Sequence, residues 1–227
     1  MTAASAVLHQ GDSADDMRGG RAAGRMDPAL RAQIYRILAA GFLEAPTHER
    51  LAVFAEGEGR LPALVGMQSG LPRAEPDAAT LADAHQDFMD LLKVPVGKFV
   101  PPYESVHRDS RLVDGQPTRG LLMGPSTIAV RRLYRDAGAG IDLPELPDHI
   151  GVELGFMSFL CEGEERAEGD PMALDNYRQY QRVFLDQHVL RWVPDYCEIV
   201  ASRATTPYMK TLATFTVAFC RQDSEQM

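Results

Sequence analysis

Asp148 and His149 sit side by side in the stretch LPELPDHIGVELGFMSFLCEGEE, with prolines upstream and a nearly apolar run behind that one carboxylate, Glu153, interrupts. Those residue types at that spacing can do four things. On a helix, His149 and Glu153 share a face, so they can touch each other or ligate a metal. A structural zinc site needs about four ligands, and neither a second His/Cys pair of suitable spacing nor HExxH occurs. Asp148 and His149 can also work as general acid and base, which leaves a hydrolase or lyase using Asp148, His149 and Glu153 as one reading. No nucleophile motif accompanies them. GxSxG is absent, and Gly97-Lys98 fails the phosphate-loop pattern because Phe99 replaces Ser/Thr and Leu92 takes the place of the first glycine. Asp148 can instead cap a helix, accepting the exposed amides of the first turn and favouring its positive end. Finally, the pair can meet a partner. In VPPYESVHRD two prolines keep the backbone extended and hold Tyr103 on a stiff mount. A fixed aromatic, an apolar helix face and an Asp-His pair compose a peptide groove, in which a carboxylate selects a basic or amide-bearing ligand.

Helices must position these groups. Asp27-Pro28 reads as an N-cap followed by a first-turn proline, and Leu30, Ile34, Ile37, Leu38 and Phe42 follow at helical spacing. Pro46-Thr47 ends that helix and caps the next. Asp77 caps a helix whose stripe is Leu81, Ala84, Phe88, Leu91 and Leu92. From Pro95 to Gly120 no helical period is visible, and a loop of such length within a domain is commonly functional. Helices resume at PSTIAVRRLYRDAG, with Ser126 as the expected cap and Gly138 as the stop. Arg131-Arg132 reads as a solvated helix face. The next helix spans about Asp148 to Cys161. Asp170-Pro171 opens a long one with Tyr177, Tyr180 or Gln181, Phe184, His188 and Trp192 as its stripe, which Pro194 is expected to break. Trp192 reads as core. Thr206-Pro207 starts the last helix, to about Cys220. No strand alternation or repeat emerges, so the expected fold is all-α, a single-domain helical bundle. Residues 1–26 read as a flexible tail, 27–222 as the helical domain and 223–227 as a short C-terminal tail.

The net charge of −9 disfavours a general binder of nucleic acid or of anionic membranes. An acidic surface suits a basic partner and equally keeps a protein soluble. Cys161, Cys197 and Cys220 are few, odd in number and far apart, as expected of buried thiols in a reducing compartment rather than of a disulfide scaffold. No segment approaches the ~18 unbroken apolar residues of a membrane span, and the first residues form neither a secretory core nor a twin-arginine leader.

Three blocks give the chain a resemblance to the TorD/DmsD/NarJ-type chaperones of redox-enzyme maturation. They are FMDLLKVPVGKFVPPYESVHRD, ELPDHIGVELGFMSFL and FLDQHVLRWVPDYCEIVASRATTPYMKTLATF. With GPSTIAVRRLYRDAG, the likeness runs from about Asp27 to Cys220. The sequence departs from the family's pattern at Glu104, where glycine is common, and at His107, where an aromatic is common. It also departs at Val96 and at Leu146-Pro147, changes that bear on which client is bound. The resemblance implies an all-helical TorD-like fold and a non-enzymatic, cytoplasmic role without a cofactor of its own. It implies binding of the twin-arginine signal peptide and apo form of a molybdenum-containing oxidoreductase catalytic subunit, before cofactor insertion and export. It implies either a monomer or a domain-swapped dimer. Guanine-nucleotide binding is known in the family, and nothing in this sequence independently supports it. Carried over by position, the peptide-binding residues are Phe88, Leu91, Leu92, Val96, Pro102, Tyr103, Ser105, Gly124, Asp148 and His149. A structural helical subunit of a larger complex is the remaining alternative.

Overall fold

The computed structural model describes residues 25–57, 60–72, 76–113, 116–140 and 145–227. Its helices are α1 (Pro28–Leu43), α2 (His48–Val53), α3 (Leu61–Leu64), α4 (Ala78–Phe88), α5 (Glu104–Arg108), α6 (Pro125–Asp136), α7 (Ile150–Arg166), α8 (Pro171–Phe184), α9 (Leu190–Arg203) and α10 (Pro207–Glu225). Two π-helical turns, Met89–Lys93 and Leu185–Val189, extend α4 and join α8 to α9. The segment expected to be irregular holds α5 and one antiparallel ribbon, β1 (Arg111–Val113) with β2 (Gln116–Thr118). The fold is all-α apart from that ribbon.

The helix starts follow local chemistry. Asp27 accepts the amides of Ala29 and Leu30, Asp77 that of Thr80, Asp170 those of Met172 and Ala173, and Thr206 that of Met209. Pro28, Pro171 and Pro207 each stand where the helix has no use for an amide hydrogen. Gly138, past the end of α6, takes φ 76°, the left-handed stop that glycine adopts most readily.

Several expected boundaries move. Ser126 does not cap α6; Gly124 occupies that position, and the Asp109 carboxylate takes the Ser126 amide at 2.9 Å. Pro194 does not end its helix. It is the fifth residue of α9, directly behind a π-helical turn where the ordinary hydrogen-bond ladder is already interrupted, so its missing amide costs less than in mid-helix. α7 runs beyond Cys161 to Arg166, and α10 beyond Cys220 to Glu225. Asp223, expected in a C-terminal tail, is buried in α10 and binds Arg31. Residues 1–24 of the expected N-terminal tail lie outside the described residues. Arg25 and Met26 are anchored: Arg25 donates to Glu164 at 2.6 Å, and the Met26 amide donates to Gln226 at 3.1 Å.

The core lies where α1, α7, α9 and α10 meet, and α1 packs along α7. A side chain at Gly151 would meet the Leu43 side chain and, at 2.9 Å, the Ala39 carbonyl, so only glycine permits the approach at the start of α7. Ser158 ties the two helices by donating to the Ala32 carbonyl at 2.8 Å. Met157 and Leu160 of α7 are fully buried, as are Leu212 and Phe215 of α10. Truncating one of these to alanine costs about 2–5 kcal/mol. Cys161, Cys197 and Cys220 are buried free thiols, and burial pushes the Cys161 thiol up to about 12. Trp192 is core, at 1% exposure.

Candidate functional site

The long connection after α4 returns to the start of α7 and pairs with it. The Ile150 amide donates to the Pro102 carbonyl, and the Glu104 amide to the Asp148 carbonyl, each at 2.9 Å. Tyr103 and His149 thereby form an isolated antiparallel bridge, with ring centroids 5.3 Å apart in an edge-to-face arrangement. Proline explains part of this geometry: Pro101-Pro102 keeps the chain extended where it must lie alongside residues 148–150.

The pairing redistributes the caps. Asp148, expected to cap α7, instead turns Oδ2 to the Ser105 amide at 2.9 Å and serves the first turn of α5. His149 takes the N-cap of α7, where its Nδ1 accepts the Gly151 amide at 3.0 Å. That acceptor role assigns the neutral ring's proton to Nε2. Burial lowers the His149 imidazole to about 4 against the opposing field of Glu145, so the ring is neutral at pH 7. His149 Nε2, Asp148 Oδ1 and Ser105 Oγ are buried without hydrogen-bond partners. Buried polar atoms are normally paired, so these three, on neighbouring residues, keep hydrogen-bonding capacity to spare.

Above them lies a polar rim. The Tyr103 hydroxyl donates to Glu145 Oε2 and Lys93 Nζ to Glu145 Oε1, each at 3.2 Å. Burial, and then the Glu145 charge, push the Tyr103 phenol up to about 12. Val96 is 68% exposed, and Val94 is also exposed.

Beneath lies a second cluster. Glu104 is fully buried; it accepts from Arg108 and from His188 Nδ1, the latter at 2.9 Å. Glu153 accepts the Trp192 indole N–H at 3.0 Å. Burial, and then the neighbouring Glu104 charge, hold the Glu153 carboxyl well above the usual carboxylate range. The Glu153 amide donates to the His149 carbonyl at 3.0 Å, but no side-chain hydrogen bond joins His149 to Glu153 or Asp148, because each side chain has another partner. Among the described residues no three metal-ligating side chains converge.

Of the residues carried over by position, Pro102, Tyr103, Ser105, Asp148 and His149 come together. Val96 lies on the surface. Phe88, Leu91 and Leu92 are at most 3% exposed, which corrects their expected place in an open groove. Their helical stripe faces the protein's own core, and Lys93 lies over the Phe88 ring at 5.8 Å. Gly124 lies beyond the other end of α5, against the Asp109 carboxylate. Sequence reasoning missed Glu145, Lys93 and the Glu104–His188 pair as parts of the site. Glu145 had a signal, an acidic residue in the proline-bounded turn before Asp148.

A family model described as "Nitrate reductase delta subunit" matches residues 54–198. The chain is 28% identical over 222 residues to the "Perchlorate reductase assembly chaperone protein" of Dechloromonas aromatica, covering 89% of this chain and 92% of that protein. It is 26% identical over 207 residues to the "Chaperone protein TorD" of Vibrio cholerae serotype O1, covering 85% and 90%. A shorter match, 38% identical over 63 residues and covering 28% of this chain and 33% of the relative, is to the "Selenate reductase assembly chaperone protein" of Thauera selenatis.

Proposed function

The chain belongs to the nitrate reductase delta subunit family, and on that footing we propose that it is an assembly chaperone for the catalytic subunit of a molybdenum-containing oxidoreductase. It holds the apo subunit by its N-terminal, twin-arginine segment while cofactor is inserted, and releases it for export. The names of the relatives, two of them assembly chaperones of reductases, support this role. The observation that carries it here is the convergence of Tyr103, Glu145, Asp148 and His149 around three buried polar atoms that lack partners.

The chemistry matches such a peptide. An arginine of the client displaces Lys93 from Glu145, exchanging one charge-assisted bond for a forked one. The client's apolar stretch spreads over Val94, Val96 and the exposed edge of Tyr103. His149 Nε2 then donates to a peptide carbonyl, and Asp148 Oδ1 accepts a peptide amide. Because the orphan atoms are buried, binding parts Tyr103 from His149. Ordering a flexible peptide opposes binding, so the affinity is moderate.

Titration calorimetry with the client's N-terminal peptide tests this. Tyr103→Ala with Asp148→Ala is expected to abolish the heat, and Glu145→Gln, which alters only the rim, to weaken it about tenfold or more. Unchanged binding in both variants refutes the site.

A further inference from the structure

A second surface departs from the acidic character of the chain. Between Arg108 and Arg135 the sequence carries six arginines against Asp109 and Asp114, in a protein of net charge −9. Arg108 pairs with Glu104, and Arg135 with Asp136. Arg111, Arg119, Arg131 and Arg132 are exposed and make no ion pair among the described residues. Between Arg119 and the start of α6 stand three consecutive exposed apolar residues, Leu121, Leu122 and Met123, at 59%, 52% and 66% exposure. Met123 has φ 62°, uncommon for a residue with a side chain, so the turn keeps a backbone conformation its side chain disfavours. Ile128, also exposed, follows on α6, with Arg131 and Arg132 on its face at helical spacing. Beside the α6 start a cleft of about 500 Å³ is lined by Arg108, His188 and Arg191.

From this arrangement we infer that the face around Leu121–Met123 docks the protein on an anionic lipid bilayer. Leu121, Leu122 and Met123 enter the interface, and the arginines on either side meet phosphate headgroups. An apolar tip alone fits many partners; arginines flanking it on an acidic protein select a negatively charged one. Exposed arginines and a short apolar turn give weak, salt-sensitive, reversible attachment. That accords with the absence, among the described residues, of any helix long and apolar enough to cross a membrane.

Sedimentation of the full chain with phosphatidylglycerol-containing vesicles tests the assignment. Binding is expected at low salt. It should vanish on pure phosphatidylcholine and fall steeply when salt is raised to about 0.5 M. Arg131→Glu with Arg132→Glu should lower the partition about tenfold. Because Cys161, Cys197 and Cys220 are buried, Met123→Cys offers one accessible thiol for a polarity-sensitive dye. Its emission should shift to the blue on acidic vesicles, and adding Leu122→Glu should suppress the shift. These substitutions change exposed side chains, and a thermal melt checks that the fold persists. Failure to sediment with acidic vesicles at low salt overturns the proposal, as does equal binding by the charge-reversed variant. If vesicles stay unbound while Leu122→Glu releases a client protein, the face docks protein and the lipid assignment is likewise overturned.

Discussion

Tyr103 and His149 meet across an isolated antiparallel bridge, beside which the Asp148 carboxylate serves the first turn of α5, whose N-cap is Tyr103, rather than capping α7. One residue therefore joins two helix starts: its backbone carbonyl accepts the Glu104 amide, and its carboxylate accepts the Ser105 amide. The remaining oxygen, Oδ1, is buried without a partner. On the proposed function, structural and recognition duties thus fall on different atoms of the same side chain.

This division predicts a split between two variants. Asp148→Ala leaves the buried Ser105 amide without an acceptor, at a cost of about 1–3 kcal/mol. Asp148→Asn keeps an oxygen for that amide but removes the charge, so it should retain most of the stability while weakening the peptide complex. Urea unfolding and calorimetry on both proteins separate the two effects. Equal destabilisation would mean that charge, not the hydrogen bond, fixes α5.

A second prediction concerns the far end of the bundle. Arg31 is fully buried and donates to Glu164, Gln181 and Asp223, while Tyr35 donates to Asp223 at 2.7 Å. Arg31→Met should cost about 3–5 kcal/mol, because it leaves Asp223 in the interior with only the Tyr35 hydroxyl, whereas Glu164 keeps Arg25 and Arg178. A chain shortened after residue 222 loses Asp223 and should also melt well below the full chain. An unshifted melting temperature would show that residues 223–227 are a passive tail.

The contrast between these regions shows what sequence carries. Asp27, Asp77, Asp170 and Thr206 were legible as caps because a cap acts on amides two or three residues away. That Tyr103, Asp148 and His149 come together was legible from proline placement and residue type. Glu104 and His188 are 84 positions apart, and only the folded chain brings them together. Phe88, Leu91 and Leu92 were placed in the groove by resemblance; their periodicity marks only an apolar face, and the fold turns that face to the core. The π-helical turn that lets Pro194 sit inside a helix has no local signature. Asp223 looked like part of a polar terminus because its partner, Arg31, lies at the opposite end of the sequence.

The turn carrying Leu121–Met123 rests on a close approach that yields a third prediction. A side chain at Gly120 would run into the Ser105 carbonyl and approach the Asp109 carbonyl at 2.9 Å. Both obstacles are backbone, so they cannot rotate away. Gly120→Ala must therefore displace either α5 or the turn. It should lower stability by about 1–3 kcal/mol and also weaken peptide binding, since Ser105 lies in that site. Urea unfolding with calorimetry checks both effects; a variant as stable and as competent as the parent would show that the turn moves independently of α5.

The last prediction turns on Glu153. Burial and the adjacent Glu104 charge raise its carboxyl well above the ordinary value of 4.5, so the folded protein holds that proton to higher pH than the unfolded chain does. The unfolded chain releases that proton above about pH 4.5, whereas the folded chain keeps it. Glu153 therefore contributes its full stability below about pH 4.5 and loses it progressively as pH rises toward the folded value. Glu153→Gln presents a neutral side chain of the same shape that can still accept the Trp192 indole hydrogen. Its stability should fall less than the parent's as pH rises above about 4.5, the gap widening by at most ~1.4 kcal/mol per pH unit. Glu164 works in the opposite sense. Burial alone would raise it, but bonds from Arg178 and Gln181 and the fields of Arg25 and Arg31 hold it below the usual range. It thus stabilises the fold above about pH 4.5 and loses that contribution as pH falls through its folded value. Taking the difference between parent and Glu153→Gln at each pH cancels the Glu164 contribution. Parallel urea midpoints for the two proteins across that range would mean that Glu153 is ionised in the folded protein as it is in the unfolded chain.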